Sequence, residues 1–209
     1  MKPEVTNIIP SRSSRGGATP VLIVLHTTEG HNRPGVGDLA DLGSFFGDPA
    51  REASSHVAND AEGNDARFVP DEDKAWTCAG FNSVSLNIEQ IGFASTEKAA
   101  WFKGAPRQLA NTARWVAFWH DKFEIPIRRG AVSGSSVTRS GVVAHGQLGS
   151  VGGGHTDPGD GYPLEYVLDL ARLFASKPPS VSHAEALDDV NKVRKHFKLD
   201  LLTEAKDHE

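Results

Sequence analysis

The chain has 209 residues, of which 38% are hydrophobic and 23% charged, and this composition is typical of a globular protein rather than a disordered or fibrous one. Its formal net charge is −5, so no global positive field exists to hold nucleic acid, which we exclude as a partner. Because Cys78 is the single cysteine, no intramolecular disulfide can form, and we expect this residue to be a small buried apolar side chain.

Residues 1–15 contain no apolar segment between a basic start and a small-residue cleavage site, so we expect that the chain carries no secretory signal. We therefore expect it to be synthesised in the cytoplasm. No uninterrupted apolar run reaches the length of a membrane span, so we expect no insertion into a membrane.

The first half of the chain predicts a strand, a helix and a hairpin. A continuous apolar run at residues 21–25 predicts a strand buried on both faces, and His26 follows it directly. Residues 38–46 carry apolar side chains at helical spacing and predict a short helix. Residues 54–59 and 66–69 flank a turn rich in Asp, Asn and Gly, so they predict a hairpin.

The second half predicts two more strands and two longer helices. Alternating residues at 85–93 predict a strand with polar side chains on one side. Residues 106–123 predict the main core helix, and residues 164–174 predict a final helix. Between them, residues 142–144 predict a short buried strand that ends at His145. The whole pattern predicts an α/β fold, with a mixed central β-sheet flanked by helices.

A proline break follows these elements. Pro178 and Pro179 interrupt the helical pattern, and residues 184–197 then place apolar side chains at helical intervals among many charges. We therefore predict one domain at residues 1–176, followed by a proline-initiated linker and an amphipathic helix at residues 177–209. Two placements of this helix remain open: it packs on the domain, or it leads toward a second module.

Three polar side chains are candidate metal ligands, and each follows an apolar run or lies in a glycine-rich turn. His26 and His145 each end a predicted strand, and Asp157 follows a run of glycines. Two imidazoles and one carboxylate suit tetrahedral Zn²⁺ with one position open to water, which indicates catalysis. Taken singly, a histidine after a strand is more often a structural residue, and no compact motif links these three.

Two further residues are candidates for the chemistry. Glu89 lies on the polar side of the predicted strand 85–93, where a partly desolvated carboxylate could act as the general base. His155 lies two residues before Asp157, from where it could donate a hydrogen bond to a developing oxyanion.

Six short strings carry a resemblance to a known family. They are Val-Leu-His-Thr-Thr-Glu-Gly (24–30), Ala-Ser-Ser-His-Val (53–57), Ala-Trp-Thr-Cys-Ala-Gly (75–80), Leu-Asn-Ile-Glu (86–89), Val-Ala-His-Gly (143–146) and His-Thr-Asp-Pro-Gly (155–159). In this order, over residues 20–174, the chain resembles the type 2 N-acetylmuramoyl-L-alanine amidases. That family includes phage amidase-type lysozymes, bacterial muropeptide amidases and animal peptidoglycan-recognition proteins. The chain looks most like endolysins of phages that infect actinobacteria.

The resemblance implies a shallow zinc-containing groove and a peptidoglycan substrate cleaved between the muramic acid lactyl group and L-alanine. It implies that one Zn²⁺ is held by the matching His26, His145 and Asp157. Glu89 matches the glutamate thought to activate water in the bacterial members. His155 stands where many members carry lysine, a departure that bears on the pH range of activity.

Three residues are candidates for binding the substrate. Trp76 could stack on sugar or peptide, or belong to the core. Thr27 follows a candidate zinc ligand directly. His56 lies in the Ser-Ser-His string, and we expect it to pack near the site rather than bind zinc, because three other ligands already complete a catalytic set.

We therefore expect a monomeric zinc amidase, a phage endolysin that acts on the cell wall after release from the cytoplasm by a holin or another export route. Three alternatives remain: a peptidoglycan-binding module without catalysis, a zinc hydrolase of some other amide, and a bacterial enzyme of cell-wall recycling or remodelling.

Overall fold

A six-stranded mixed sheet lies at the centre of the computed structural model, which describes residues 5–176 and 183–199. In chain order the strands are β1 (Val5–Thr6), β2 (Arg12–Ser14), β3 (Leu22–Thr27), β4 (Val57–Asn59), β5 (Asp65–Arg67), β6 (Asp73–Ala75), β7 (Ser85–Gln90), β8 (Ala131–Ser133), β9 (Ser136–Arg139) and β10 (Gly141–Ala144). The order across the sheet is β1-β5-β4-β7-β3-β10, and β2–β6 and β8–β9 form two small antiparallel ribbons. Strands β4, β7, β3 and β10 run parallel, whereas β4 and β5 form the predicted antiparallel hairpin.

The register of the parallel strands brings the candidate site residues to one edge of the sheet. His26 at the end of β3 pairs with Glu89 of β7. Ala144 of β10 pairs with Leu25, so His145 emerges one residue further along, beside His26. Since parallel strands end at a common edge, side chains distant in sequence meet there, which is the usual location of sites in such sheets.

Helices cover the sheet. They are α1 (Gly37–Gly47), α2 (Lys98–Gly104), α3 (Pro106–Phe123), α4 (Leu164–Ala175) and α5 (His183–His196). Successive residues of β3 belong to two different apolar layers, because successive strand side chains point to opposite faces of the sheet. Ile23 and Leu25 join the buried cluster that includes α3 and α4, whereas Leu22 and Val24 join a second cluster that contains Cys78. The α/β class with a mixed central sheet flanked by helices is thus confirmed.

Helix α5 packs against α4. Val190 is buried in the same cluster as the α4 side chains, and the ring of Phe197 meets that of Tyr166 edge to face, with centroids 5.3 Å apart. The helix therefore lies on the domain in the described part of the chain. The predicted break at Pro178 and Pro179 lies outside the described residues, and the division at residue 176 stays a prediction.

Several short elements were not predicted, and the strands predicted at residues 54–59, 66–69 and 85–93 are shorter than expected. The unpredicted elements are β1, β2, β6, the β8–β9 ribbon and α2. Strand β7 ends at Gln90 rather than at residue 93. Within residues 5–176 and 183–199, no helix has both the length and the apolar character needed to cross a membrane.

The loop that carries Asp157 packs directly on the segment after β7. Gly159 has a φ of +80°, and a Cβ built on it would lie 2.0 Å from the carbonyl oxygen of Ala94. A side chain there would have to displace backbone, so this glycine fixes the position of the loop.

We predict that Gly159→Ala destabilises the fold more than Gly35→Ala. Gly35 has nearly the same φ, +81°, but nothing lies within 4 Å of its Cβ position. Both substitutions incur about 1–2 kcal/mol for a left-handed backbone. Only Gly159→Ala adds the overpacking penalty of roughly 1–3 kcal/mol. Urea unfolding of both variants measures the difference, and equal losses would show that the loop yields freely.

Candidate metal centre and groove

The side chains of His26, His145 and Asp157 meet at the carboxyl edge of β3 and β10. The two Nδ1 atoms of the histidines lie 3.0 Å apart. Asp157 places Oδ2 3.4 Å from His26 Nδ1 and Oδ1 3.2 Å from His145 Nδ1. Ligand atoms at about 2.0–2.2 Å from a tetrahedral Zn²⁺ lie about 3.3 Å from one another. The spacing of these three buried groups therefore fits a zinc site.

Hydrogen bonds on the outer side of both rings determine which nitrogen faces the centre. His26 Nε2 donates to Asn87 Oδ1 at 3.1 Å, and His145 Nε2 donates to the carbonyl oxygen of Gly152 at 2.9 Å. In a neutral imidazole a proton on Nε2 leaves a lone pair on Nδ1. The two Nδ1 atoms and the carboxylate of Asp157 point at one position. A cation at that position would interact with all three groups at once.

The protonation states of the ligands agree with this arrangement. Burial lowers the pKa of His26, which keeps its ring neutral and able to bind a metal. Burial alone would raise the pKa of Asp157, but the interactions with His145 and His26 outweigh it and hold that pKa well below its ordinary value. Asp157 is therefore ionised and supplies the negative charge of the centre.

Thr27 supports Asp157 through its backbone. Its N–H donates to Asp157 Oδ2 at 3.3 Å, and the N–H of Gly146 donates to the Asp157 carbonyl oxygen at 2.9 Å. The Thr27 hydroxyl donates to Glu29 Oε1 at 2.8 Å. Thr27, predicted to bind substrate, thus borders the groove but uses both of these donors to hold neighbouring carboxylates.

Glu89 lies beside the ligands with an unpaired carboxylate oxygen. Its Oε2 is buried and has no hydrogen-bond partner among the described residues. Burial, reinforced by the negative charges of Asp157 and Glu29, raises the pKa of Glu89 to about 8. A carboxyl group that exchanges its proton near neutral pH is suited to general acid–base chemistry.

The ligands form the floor of an open groove with a volume of about 320 Å³. One wall is apolar and the rest of the lining is mainly polar. The lining residues are His26, Thr27, Thr28, Glu29, Leu42, Phe45, Phe46, Ala53, Ser54, Trp76, Thr77, Glu89, His145, His155 and Asp157. The predicted zinc ligands, Glu89, His155, Trp76 and Thr27 are therefore brought together.

His155 and Trp76 both line the groove, but the His155 side chain is exposed whereas the Trp76 side chain is held by a hydrogen bond. The His155 side chain is 60% exposed, and its ring stacks on that of His145 with centroids 4.4 Å apart. Its position lets it reach a substrate without moving a ligand. Trp76 is half-buried and donates from its indole N–H to Ser13 Oγ at 3.0 Å, so its ring is held in the groove wall.

His56 does not reach the groove, although it was a candidate for substrate binding. Its side chain has no exposed surface, so a substrate has nothing to contact. Its Nδ1 accepts a hydrogen bond from the backbone N–H of Asn87 at 3.1 Å, and Arg15 Nη2 lies 2.8 Å from its Nε2. Burial and the Arg15 charge lower the pKa of His56 to about 3. It is therefore a neutral residue behind the site.

Sequence reasoning missed eight of the fifteen lining residues, among them Glu29 and Phe45, and one supporting residue. Glu29 and Phe45 line the groove, and Asn87 orients His26. The alternation of the predicted strand places Asn87 on the same face as Glu89, but nothing in the sequence pairs it with His26. Burial raises the pKa of Cys78 to about 12, so this thiol is inert, as the expectation of a small buried side chain implies.

Comparisons with known proteins agree with this geometry. A sequence model of the family described as N-acetylmuramoyl-L-alanine amidase matches residues 16–160. No curated protein matches the chain in sequence.

Solved structures with the same fold share little sequence with this chain. A selenomethionine derivative of AmpD has a TM-score of 0.60 at 16% identity, over 83% of this chain and 95% of that one. The hydrolase AmiA from Staphylococcus aureus, solved with its ligand, has a TM-score of 0.55 at 19% identity, over 97% and 90%. The N-acetylmuramoyl-L-alanine amidase LysC from Clostridium intestinale has a TM-score of 0.52 at 15% identity, over 79% and 95%. At such identities the likeness shows the fold alone.

The burial of His56 predicts a pH dependence of stability. Below its ordinary pKa of about 6.5, an unfolded His56 takes up a proton that the folded protein excludes until about pH 3. The free energy of unfolding therefore falls as the pH falls through this range, by up to about 1.4 kcal/mol per pH unit from this residue. We predict that His56→Gln reduces this slope. Urea unfolding in chelator between pH 4 and 7 measures it, and an unchanged slope would contradict the assignment.

Proposed function

Because the chain belongs to the N-acetylmuramoyl-L-alanine amidase family, we propose that it is a zinc-dependent enzyme that hydrolyses the amide between the muramic acid lactyl group and L-alanine in peptidoglycan. The observation that carries this proposal is the convergence of His26 Nδ1, His145 Nδ1 and the Asp157 carboxylate at the floor of an open groove. We further propose a role as a phage endolysin, which is supported by the form of the His-Thr-Asp-Pro-Gly string.

The donor set suits one Zn²⁺, held by His26, His145 and Asp157. Two nitrogens and a carboxylate oxygen are ligands that zinc accepts, and these three side chains would hold the ion at the floor of the groove. When bound, Zn²⁺ polarises the scissile carbonyl group and acidifies the attacking water.

Glu89 acts as the general base and then as the general acid. Its carboxylate takes a proton from the oxygen of the attacking water and returns it to the amide nitrogen of L-alanine as the bond breaks. A pKa of about 8 would leave the carboxyl protonated at neutral pH. Positive charge held by the three ligands would lower that value and favour the ionised form of Glu89.

His155 donates a hydrogen bond to the negative charge that develops on the scissile carbonyl oxygen. Its exposed ring lies on His145, at the side of the groove and next to the ligands. Donation from a positioned group is worth most when the transition state is shielded from water. Trp76 and Thr27 also line the groove, and we propose that they contact the substrate.

The presence of Glu89 argues against a module that only binds peptidoglycan. A binding surface gains nothing from a buried carboxylate oxygen without a partner, which costs folding free energy. A catalytic base uses that same feature.

We predict that the protein releases L-alanine N-termini and free lactyl groups from purified cell wall, that a chelator abolishes release, and that Zn²⁺ restores it. Asp157→Ala should retain little metal and no activity, because two neutral imidazoles alone hold zinc weakly. End-group analysis of the digest measures the products. Binding without release would indicate a non-catalytic module, and other new termini would indicate another amide.

We predict that Glu89→Gln keeps its zinc but loses roughly 10²–10⁴-fold in rate, the usual contribution of a general base. Glu124→Gln, which removes an exposed carboxyl just after α3, is the control and should match the unmodified protein. Metal content and turnover are measured on the same preparations. A variant that retains both zinc and full rate would exclude Glu89 as the base.

A further inference from the structure

We propose that Asn87 is a positioning residue that orients His26 for zinc and does so as a neutral acceptor. This inference rests on the zinc centre of the proposed function. It concerns which nitrogen of His26 faces the metal and how much negative charge lies on the opposite side of that ring.

The geometry around Asn87 determines the orientation of the His26 ring. Asn87 has no exposed surface and lies on β7, two residues before Glu89 and therefore on the same face of the strand. Its Oδ1 lies 3.1 Å from His26 Nε2. An amide oxygen only accepts hydrogen bonds, so Nε2 must carry the ring proton and Nδ1 must face the centre.

The amide group of Asn87 is itself fixed in orientation. Its Nδ2 donates to Ser85 Oγ at 3.2 Å and lies 3.4 Å from His56 Nδ1. Rotating the amide would point N–H groups at His26 and leave these contacts unmade. A buried chain of hydrogen bonds thus runs from His26 through Asn87 to His56, and the rigid strand β7 carries it.

The neutrality of Asn87 has a chemical consequence. A carboxylate behind a metal-bound histidine makes that ligand more basic. Here both histidines have uncharged acceptors, the Asn87 amide and the Gly152 carbonyl group. The three ligands then supply one negative charge, that of Asp157, so the centre keeps more of its positive charge for the substrate carbonyl group.

Zinc affinity of the full chain, measured by competition with a chromophoric chelator, tests the proposal without relying on activity. Asn87→Leu should raise the zinc dissociation constant by about 10–100-fold, the usual effect of losing such a partner. Asn59→Leu is the matched control. Asn59 is equally buried, lies on the neighbouring strand β4, and donates to Thr112 Oγ1 at 3.0 Å, away from the ligands. Its loss should reduce stability but leave zinc affinity unchanged.

Asn87→Asp separates positioning from packing, because it keeps the acceptor and adds charge. It should bind zinc at least as tightly as the unmodified protein. If Asn87→Leu does not fold, the zinc affinity of Asn87→Asp alone tests the proposal. The proposal is overturned if Asn87→Leu binds zinc normally, if Asn59→Leu weakens binding equally, or if Asn87→Asp loses affinity. An unmodified protein that binds no zinc would instead overturn the proposed zinc centre, and zinc binding without amide hydrolysis would overturn only the proposed reaction.

Discussion

The centre of this protein depends on holding three metal-binding groups at the short distances that a metal ion requires. The Nδ1 atoms of His26 and His145 and the carboxylate oxygens of Asp157 lie within 3.4 Å of one another. The surrounding fold supplies this constraint. Asn87 and Gly152 hold the rings from behind, and Thr27 and Gly146 hold the loop of Asp157. The three groups are therefore already in place for a cation, which would interact with all of them at once.

The parallel sheet brings the two candidate histidine ligands together. His26 and His145 are 119 positions apart in the chain, yet β3 and β10 are adjacent and end at the same edge. Each of the two histidines lies at the end of an apolar strand that is largely buried. A slip of one residue in either register would turn the ligand to the opposite face of the sheet. The register of the strands therefore determines the geometry of the site.

Apolar patterning was enough to predict the long buried elements, and the candidate site was predicted from them together with the family resemblance. Residues 21–25 and 142–144 contain little but apolar side chains, so their burial and the polar residue after each could be predicted from sequence. Strands of two or three residues, such as β1, β2 and β6, have no such signal because their partners alone determine them. The position of His56 depends likewise on Arg15 and Asn87, which are far from it in sequence.

Glu89 shows why the neutral partners matter. Its carboxylate lies near Asp157 and Glu29, and burial strengthens repulsion among these charges. A further carboxylate behind His26 would add to the negative charge around the same point and would hold the proton on Glu89 more firmly. With an amide in that place, a single divalent cation can balance Asp157 and also ionise Glu89. The uncharged side chain of Asn87 and the reactivity of Glu89, two residues apart on β7, are thus parts of one electrostatic arrangement.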